Sequence, residues 1–261
     1  MRIALGVSYD GFNYDGWQSQ PSGQTVQDQL ELALGKFTGG NRIPTLCAGR
    51  TDAGVHGLMQ VVHFDTDIDR AEFAWVRGAN SYLPKDMAVQ WARRVPVEFH
   101  CRASAVSRRY AYLLLESPVR PSIDAHRVGW VFQALNLQSM QQATQHLLGE
   151  HDFTSLRASA CQALSPVKTL MHLDIRQRGA YWRFDFEANA FLHHMIRNIM
   201  GCLIAIGQGK YPPEWMAEVI AARSRDAAAP TFAADGLYFL GPRYDPSWGL
   251  PESSPAYDWL P

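Results

Sequence analysis

Lysine is scarce in this 261-residue chain. Of 24 basic residues only four are Lys (36, 85, 168 and 210), which leaves 20 Arg. Cysteine is scarce too: four residues (47, 101, 161 and 202), scattered so that no C-x-x-C pair forms. Without a signal sequence such cysteines read as reduced thiols. No His/Cys/Asp group has zinc-site spacing, and His193 and His194, as neighbours on a helix, would point in different directions, so no metal is expected. Long apolar runs are missing as well. The most apolar stretch, Met195 to Ile206, is interrupted by Arg197 and Asn198, so no membrane partner is expected. The chain enters Arg2-Ile3-Ala4-Leu5-Gly6-Val7 without a charged region and an apolar signal core, which leads us to expect a cytoplasmic address.

What is present is a globular composition, 47% hydrophobic and 19% charged, enough to bury one large core or two modest ones. The net charge of −1 excludes a broadly basic nucleic-acid binder. The basic residues are unevenly spread, however. Arg93 to Arg127 holds seven Arg against three acids (Glu98, Glu116 and Asp124), and no acid lies between Glu187 and Glu214. Arg suits bidentate phosphate recognition and stacking on planar groups, and a local field can steer an RNA toward a neutral protein.

Periodicity gives a coarse map. Residues 2–9 read as a strand running into Asp10-Gly11-Phe12-Asn13-Tyr14-Asp15-Gly16-Trp17, a loop whose aromatics could stack on bases or pin the loop to the core. Thr25 is the expected N-cap of an amphipathic helix with Gln27 and Gln29 outward and a glycine stop at 39–40. A strand approach at 43–48, strand 58–64, helix 72–82 and strand 87–94 complete a first α/β half ending at 95–105. The second half opens on a strand through Arg108, Tyr110 and Tyr112. A helix over 137–148, a loop at 149–157, a hairpin (166–176 and 181–188, turned at Arg178-Gly179), an apolar helix near 191–203 and a last helix over 214–222 follow. We divide the chain into 1–103, 104–243 and a loosely held extension, 244–261.

The chemistry centres on Ala48-Gly49-Arg50-Thr51-Asp52-Ala53-Gly54-Val55-His56-Gly57. Asp52 is the only acid of this glycine-bearing loop, and Arg50 offers it a cationic neighbour. A positioned carboxylate can act as a nucleophile, although a surface turn accounts equally well for Asp and Gly in sequence alone. Arg197, embedded in an apolar helix, is costly unless it meets a carboxylate or a phosphate. We expect it to contact Asp52 or a nucleotide phosphate.

The decapeptide resembles the signature of the tRNA pseudouridine synthases of the TruA family, which usually ends in Ala where this chain has Gly57. Five further segments resemble that family. They are the loop after the first strand, Phe99-His100-Cys101-Arg102 through Arg108-Arg109-Tyr110-Ala111-Tyr112, Gly149-Glu150-His151-Asp152-Phe153, Phe191-Leu192-His193-His194-Met195-Ile196-Arg197-Asn198-Ile199-Met200-Gly201, and Ala228-Ala229-Pro230-Thr231-Phe232-Ala233-Ala234-Asp235-Gly236-Leu237-Tyr238. The last has Phe232-Ala233 in place of the family's Ala-Pro.

The resemblance implies an α/β (α+β) fold of two mixed halves whose antiparallel sheets join across a central cleft. It makes Asp52 the catalytic nucleophile with Arg50 and Tyr110, the tyrosine that packs on the uracil. Arg197, Leu237, Gly49 and Thr51 become the substrate-binding residues. It implies no cofactor and no metal, a tRNA substrate modified at positions 38–40 of the anticodon arm, and a homodimer. A carboxylate can attack C1′, attack C6, or stabilise charge while a proton leaves C2′, and residue types leave the three open. Two rivals follow from the residues alone. A non-catalytic RNA-binding protein would tolerate loss of Asp52, and a carboxylate hydrolase would need a second acid, base or metal.

Overall fold

In a computed structural model of the chain, residues 1–159 and 161–251 are described. They form two compact units. The first comprises Met1–Arg108 and the segment that begins at Tyr238, and the second comprises Arg109–Leu237. Both are mixed α/β.

The first unit is built around β1 (Arg2–Tyr9). Thr25 caps α1 (Val26–Thr38), its side chain accepting the Asp28 amide, and Gly39 ends the helix in the left-handed region. A two-residue β2 (Leu46–Cys47) precedes β3 (His56–Asp65), which is followed by α2 (Glu72–Asn80) and β4 (Met87–Val95). β1 pairs antiparallel with β3 on one side and β4 on the other, so both of its edges are paired. Ile3, Leu5 and Val7 pack under the helices with Leu30, Leu34 and Trp75. Ala4 faces a second cluster with Met59, Trp91 and Phe99. Gln27 does not face outward: its side chain bonds Gln18, Ser19, Glu31 and the Thr45 carbonyl. Asp28 and Glu31 are buried on this helix and share Arg42. Apolar periodicity does not register such a polar seam.

The second unit carries the greater part of β5 (Ala105–Glu116), a short β6 (Gly129–Val131) parallel to it, α3 (Leu137–Thr144) capped by Asn136, and β7 (Gly149–Asp152). The hairpin is β8 (Val167–Arg178) and β9 (Tyr181–Ala188), followed by α4 (Met195–Gly207) and α5 (Trp215–Ala222). The strand order is β5-β9-β8-β7. β7 falls in a segment expected to be a loop. Its four residues pair with Leu170 to Val167 along the free edge of β8, and four residues are too few for alternation to show. Trp182, Phe184 and Phe186 alternate along β9 and are buried, each contributing roughly 1.5–3 kcal/mol. On β8 a register shift between Leu170 and His172 resets the phase, so Leu170, Leu173 and Ile175 are buried while Val167 and Met171 are exposed. The hairpin turns on Gly179 and Ala180, with Arg178 paired to Tyr181.

β10 (Leu237–Tyr244) returns the chain to the first unit, where Tyr238 and Phe239 pair parallel with His56 and Gly57 of β3. The chain beyond it is held as far as Leu250. The Tyr244 hydroxyl donates to the Cys101 carbonyl at 2.6 Å, and Tyr244, Trp248 and Leu250 pack on the Phe99 cluster. Residues 252–261, the remainder of the expected extension, lie outside the described residues. Among the described residues no helix is long and apolar enough to cross a membrane.

Candidate active site

The signature segment begins where regular pairing stops. Leu46 and Cys47 oppose His63 and Val62, and the Ala48 amide still donates to the Val61 carbonyl at 2.9 Å. Beyond that point side chains take over. The Gln60 side-chain amide donates to the Gly49 carbonyl, and its oxygen accepts the Gly49 amide at 3.4 Å. Arg108 donates to the Ala48 carbonyl at 3.3 Å and also holds the Arg102 carbonyl. The Thr51 hydroxyl lies 2.9 Å from the Tyr9 hydroxyl in a buried position. Thr51 is buried, Gly49 and Asp52 are half-buried, and Arg50 is exposed. The segment is therefore clamped through Gly49 and Thr51, with Asp52 half-buried and Arg50 exposed.

The 10–17 loop supplies the second wall. The Trp17 amide donates to the Thr51 carbonyl at 3.0 Å. Gly16 adopts a φ of +86°, and a Cβ there would sit 2.7 Å from the Thr51 oxygen, so only glycine allows this approach. Tyr14 and Trp17 are buried, with Tyr14 donating to Asp86 at 2.6 Å. These two aromatics pin the loop, while Phe12 remains exposed. His56 ties both segments together. Its Nδ1 accepts the Gly11 amide at 3.0 Å and lies 3.1 Å from the Asp10 carboxylate, and its ring stacks on Tyr238 at 4.6 Å.

In the second unit Tyr110 is buried on β5 with the Phe191 ring edge-on at 5.1 Å. Arg197 lies in the first turn of α4. Its Nε donates to the Phe232 carbonyl at 2.9 Å, and the Phe232 amide donates to the Arg197 carbonyl at 3.1 Å. Next to it Asn198, fully buried, donates to the Leu156 carbonyl at 2.9 Å and accepts from the Thr231 hydroxyl at 2.6 Å. Tyr112 donates to the Ala233 carbonyl at 2.9 Å. The Phe232-Ala233 departure is thus accommodated through its carbonyls, which any residue supplies. Leu237 is buried, its amide on the Ala234 carbonyl at 2.8 Å. His193 and His194 are not on a helix. His194 has a φ of +61° as the residue before α4, and the two rings stand 4.0 Å apart. Sequence reading missed Tyr9, Gln60, Arg108 and Asn198. A lone Gln inside the apolar strand 58–64 and an Asn inside an apolar helix were the available signals.

Tertiary structure also assembles a group that spacing hides. His63, His100 and Cys101 offer potential ligand atoms within 4.8 Å of one another. His63 Nδ1 accepts the Cys101 amide at 3.3 Å, and His100 Nδ1 accepts the Arg102 and Ala103 amides at 3.2 and 3.3 Å. Each ring's lone pair is already engaged by the backbone, and a cation here would have to displace those bonds. Burial, with Arg2 and His100 nearby, brings the His63 imidazole down to about 4. Burial also pushes the Cys101 thiol up to about 12. All four cysteines are free.

The profile of a family described as tRNA pseudouridine synthase matches residues 6–102 and 143–245. The chain is similar to tRNA pseudouridine synthase A of Albidiferax ferrireducens, 72% identical over 261 residues and the whole of both chains. It is similar to the proteins of that name from Acidovorax ebreus, 68% identical over 275 residues, and Polaromonas naphthalenivorans, 67% over 265 residues, again over the whole of both chains. A solved H/ACA ribonucleoprotein bound to a substrate RNA containing 2'-deoxyuridine aligns over 87% of this chain and 59% of that one. Its 12% identity and TM-score of 0.35 are too slight to bear on the site.

Proposed function

The chain belongs to the tRNA pseudouridine synthase family and isomerises uridine to pseudouridine in tRNA, and we propose that Asp52 is its nucleophile and the anticodon arm, positions 38–40, its target. The reaction breaks the bond between N1 and C1′, joins C5 to C1′, and moves a proton from C5 to solvent while N1 gains one. The formula is unchanged, and no cofactor enters the scheme. Asp52 holds the sugar or the base through the transfer. Arg50 keeps positive charge beside it, which is worth most where water is excluded. Tyr110 packs on the displaced uracil, Leu237 lines its pocket, and Arg197 meets a phosphate or the carboxylate. Gly49 and Thr51 give the loop its shape. Extracting the base costs a few kcal/mol, offset by contacts from the Arg-rich segments to phosphate.

The observation that carries this reading is the clamped 48–52 segment, gripped at Gly49 and Thr51, with Asp52 half-buried and Arg50 exposed. We further propose that the enzyme works in the cytoplasm, and that it is a homodimer, because with limited positive charge on each chain two subunits can share one RNA. Tritium release from C5-labelled uridine in unmodified tRNA tests the reading. Wild type should release tritium, and Asp52→Ala should abolish release while tRNA binding persists. Release that survives the substitution would overturn Asp52 as nucleophile. Sedimentation of the active enzyme as a monomer would overturn the dimer.

A further inference from the structure

In the antiparallel register of β2 with β3, Leu46 opposes His63 and Cys47 opposes Val62. Continued two steps, that register sets Gly49 opposite Gln60. The ladder ends there, and the side chain of Gln60 replaces it by presenting both a donor and an acceptor to the Gly49 peptide groups. Gln60 is completely buried, and a buried amide needs partners for its oxygen and both of its hydrogens. Gly49 takes the oxygen and one hydrogen. The other partner is Tyr9, whose phenol burial pushes far up, opposed by hydrogen bonds from Thr51 and Gln60. The bonds therefore form a relay from the Gly49 carbonyl through the Gln60 amide and the Tyr9 hydroxyl to the Thr51 hydroxyl. It grips positions 49 and 51, the latter directly before Asp52.

We propose that Gln60, acting through Tyr9 on Gly49 and Thr51, is the positioning residue that aims the Asp52 carboxylate. The proposal rests on Asp52 as the nucleophile. Gln60 touches neither substrate nor reacting atoms. Its effect is on the orientation of the peptide that carries Asp52, and a misplacement of about 1 Å can cost on the order of 100-fold in rate. A glutamine that merely filled the core would affect stability alone.

The test is single-turnover tritium release at saturating unmodified tRNA for wild type, Gln60→Leu and Gln60→Glu, with thermal melts and tRNA dissociation constants measured alongside. Gln60→Leu should lower the rate by about 100-fold with the dissociation constant unchanged. Gln60→Glu separates positioning from folding. Burial favours its neutral form, and a protonated carboxyl again offers Gly49 one donor and one acceptor. Its rate should rise at least about tenfold from pH 8 to pH 6 relative to wild type, the change expected where one proton restores activity with a raised pKa. If Gln60→Leu fails to fold, that pH profile decides the matter. Variants that are folded and keep the wild-type rate and pH profile would overturn the proposal, as would a loss confined to tRNA affinity. Failure of wild type to release tritium would instead sink the function on which it rests.

Discussion

Gly57 lies directly against the ring of Tyr9. The two residues are paired across β1 and β3, and a Cβ on Gly57 would stand 2.4 Å from Cε1 and Cζ of the phenol. The signature usually carries alanine at this position; here glycine leaves the Tyr9 ring the space a Cβ would take. We expect Gly57→Ala to push Tyr9 away from Thr51, destabilise the protein by about 1–3 kcal/mol and slow turnover. Urea midpoints and single-turnover rates check both effects, and unchanged values would mean the strand gives way without moving Tyr9.

Asn198 links three segments of the second unit: α4, the Leu156 carbonyl and Thr231. Its replacement by Leu would leave the buried Leu156 carbonyl without this donor, costing about 1–3 kcal/mol, and would remove the acceptor of the Thr231 hydroxyl, to which Arg225 still donates. A lower unfolding midpoint is therefore expected in denaturant titration. Asn198→Asp should be destabilising as well, since a carboxylate cannot donate to the Leu156 carbonyl.

Arg197→Lys retains the charge but loses the Nε that donates to the Phe232 carbonyl. A lysine has no planar fork to replace it. We expect a loss of about 0.5–1.5 kcal/mol in stability, together with a fall in tritium release larger than that loss explains. Arg197→Glu should abolish release, and turnover surviving that charge reversal would remove Arg197 from the substrate-binding residues.

His63 predicts a pH dependence. Its imidazole sits at about 4 in the folded chain against an ordinary 6.5, burial being the chief cause. Between these values the unfolded chain binds a proton that the folded chain does not, so acid favours unfolding. The contribution leaves stability untouched above about pH 6.5 and erodes it as pH falls toward 4, by at most about 1.4 kcal/mol per pH unit. His63→Gln should flatten that slope. Urea titrations at pH 7 and pH 5 measure it, and equal slopes in the two proteins would show that another group carries the acid sensitivity.

Much of the secondary structure was legible because it rests on local rules. Thr25 caps α1, Asn136 caps α3 and Gly39 stops α1 through contacts within a few residues. The alternation of Trp182, Phe184 and Phe186 states which face of β9 is buried. The edge strand β7 was not legible, since its pairing is made by β8 rather than by any pattern of its own. The hydrogen-bonded, half-buried position of Gln27 was hidden for a related reason: its partners at Ser19 and Thr45 come from loops that periodicity does not describe.

By itself the sequence determined the family and the identity of Asp52, Arg50, Tyr110, Arg197 and Leu237 as candidates, because a motif is a statement about residue type and order. Only the tertiary structure decided what holds the Asp52 segment. Gln60, Tyr9 and Arg108 stand 11, 42 and 60 residues from the groups they grip. Hydrogen bonds over such separations depend on strand register and on which side chains the core encloses. Sequence spacing records neither.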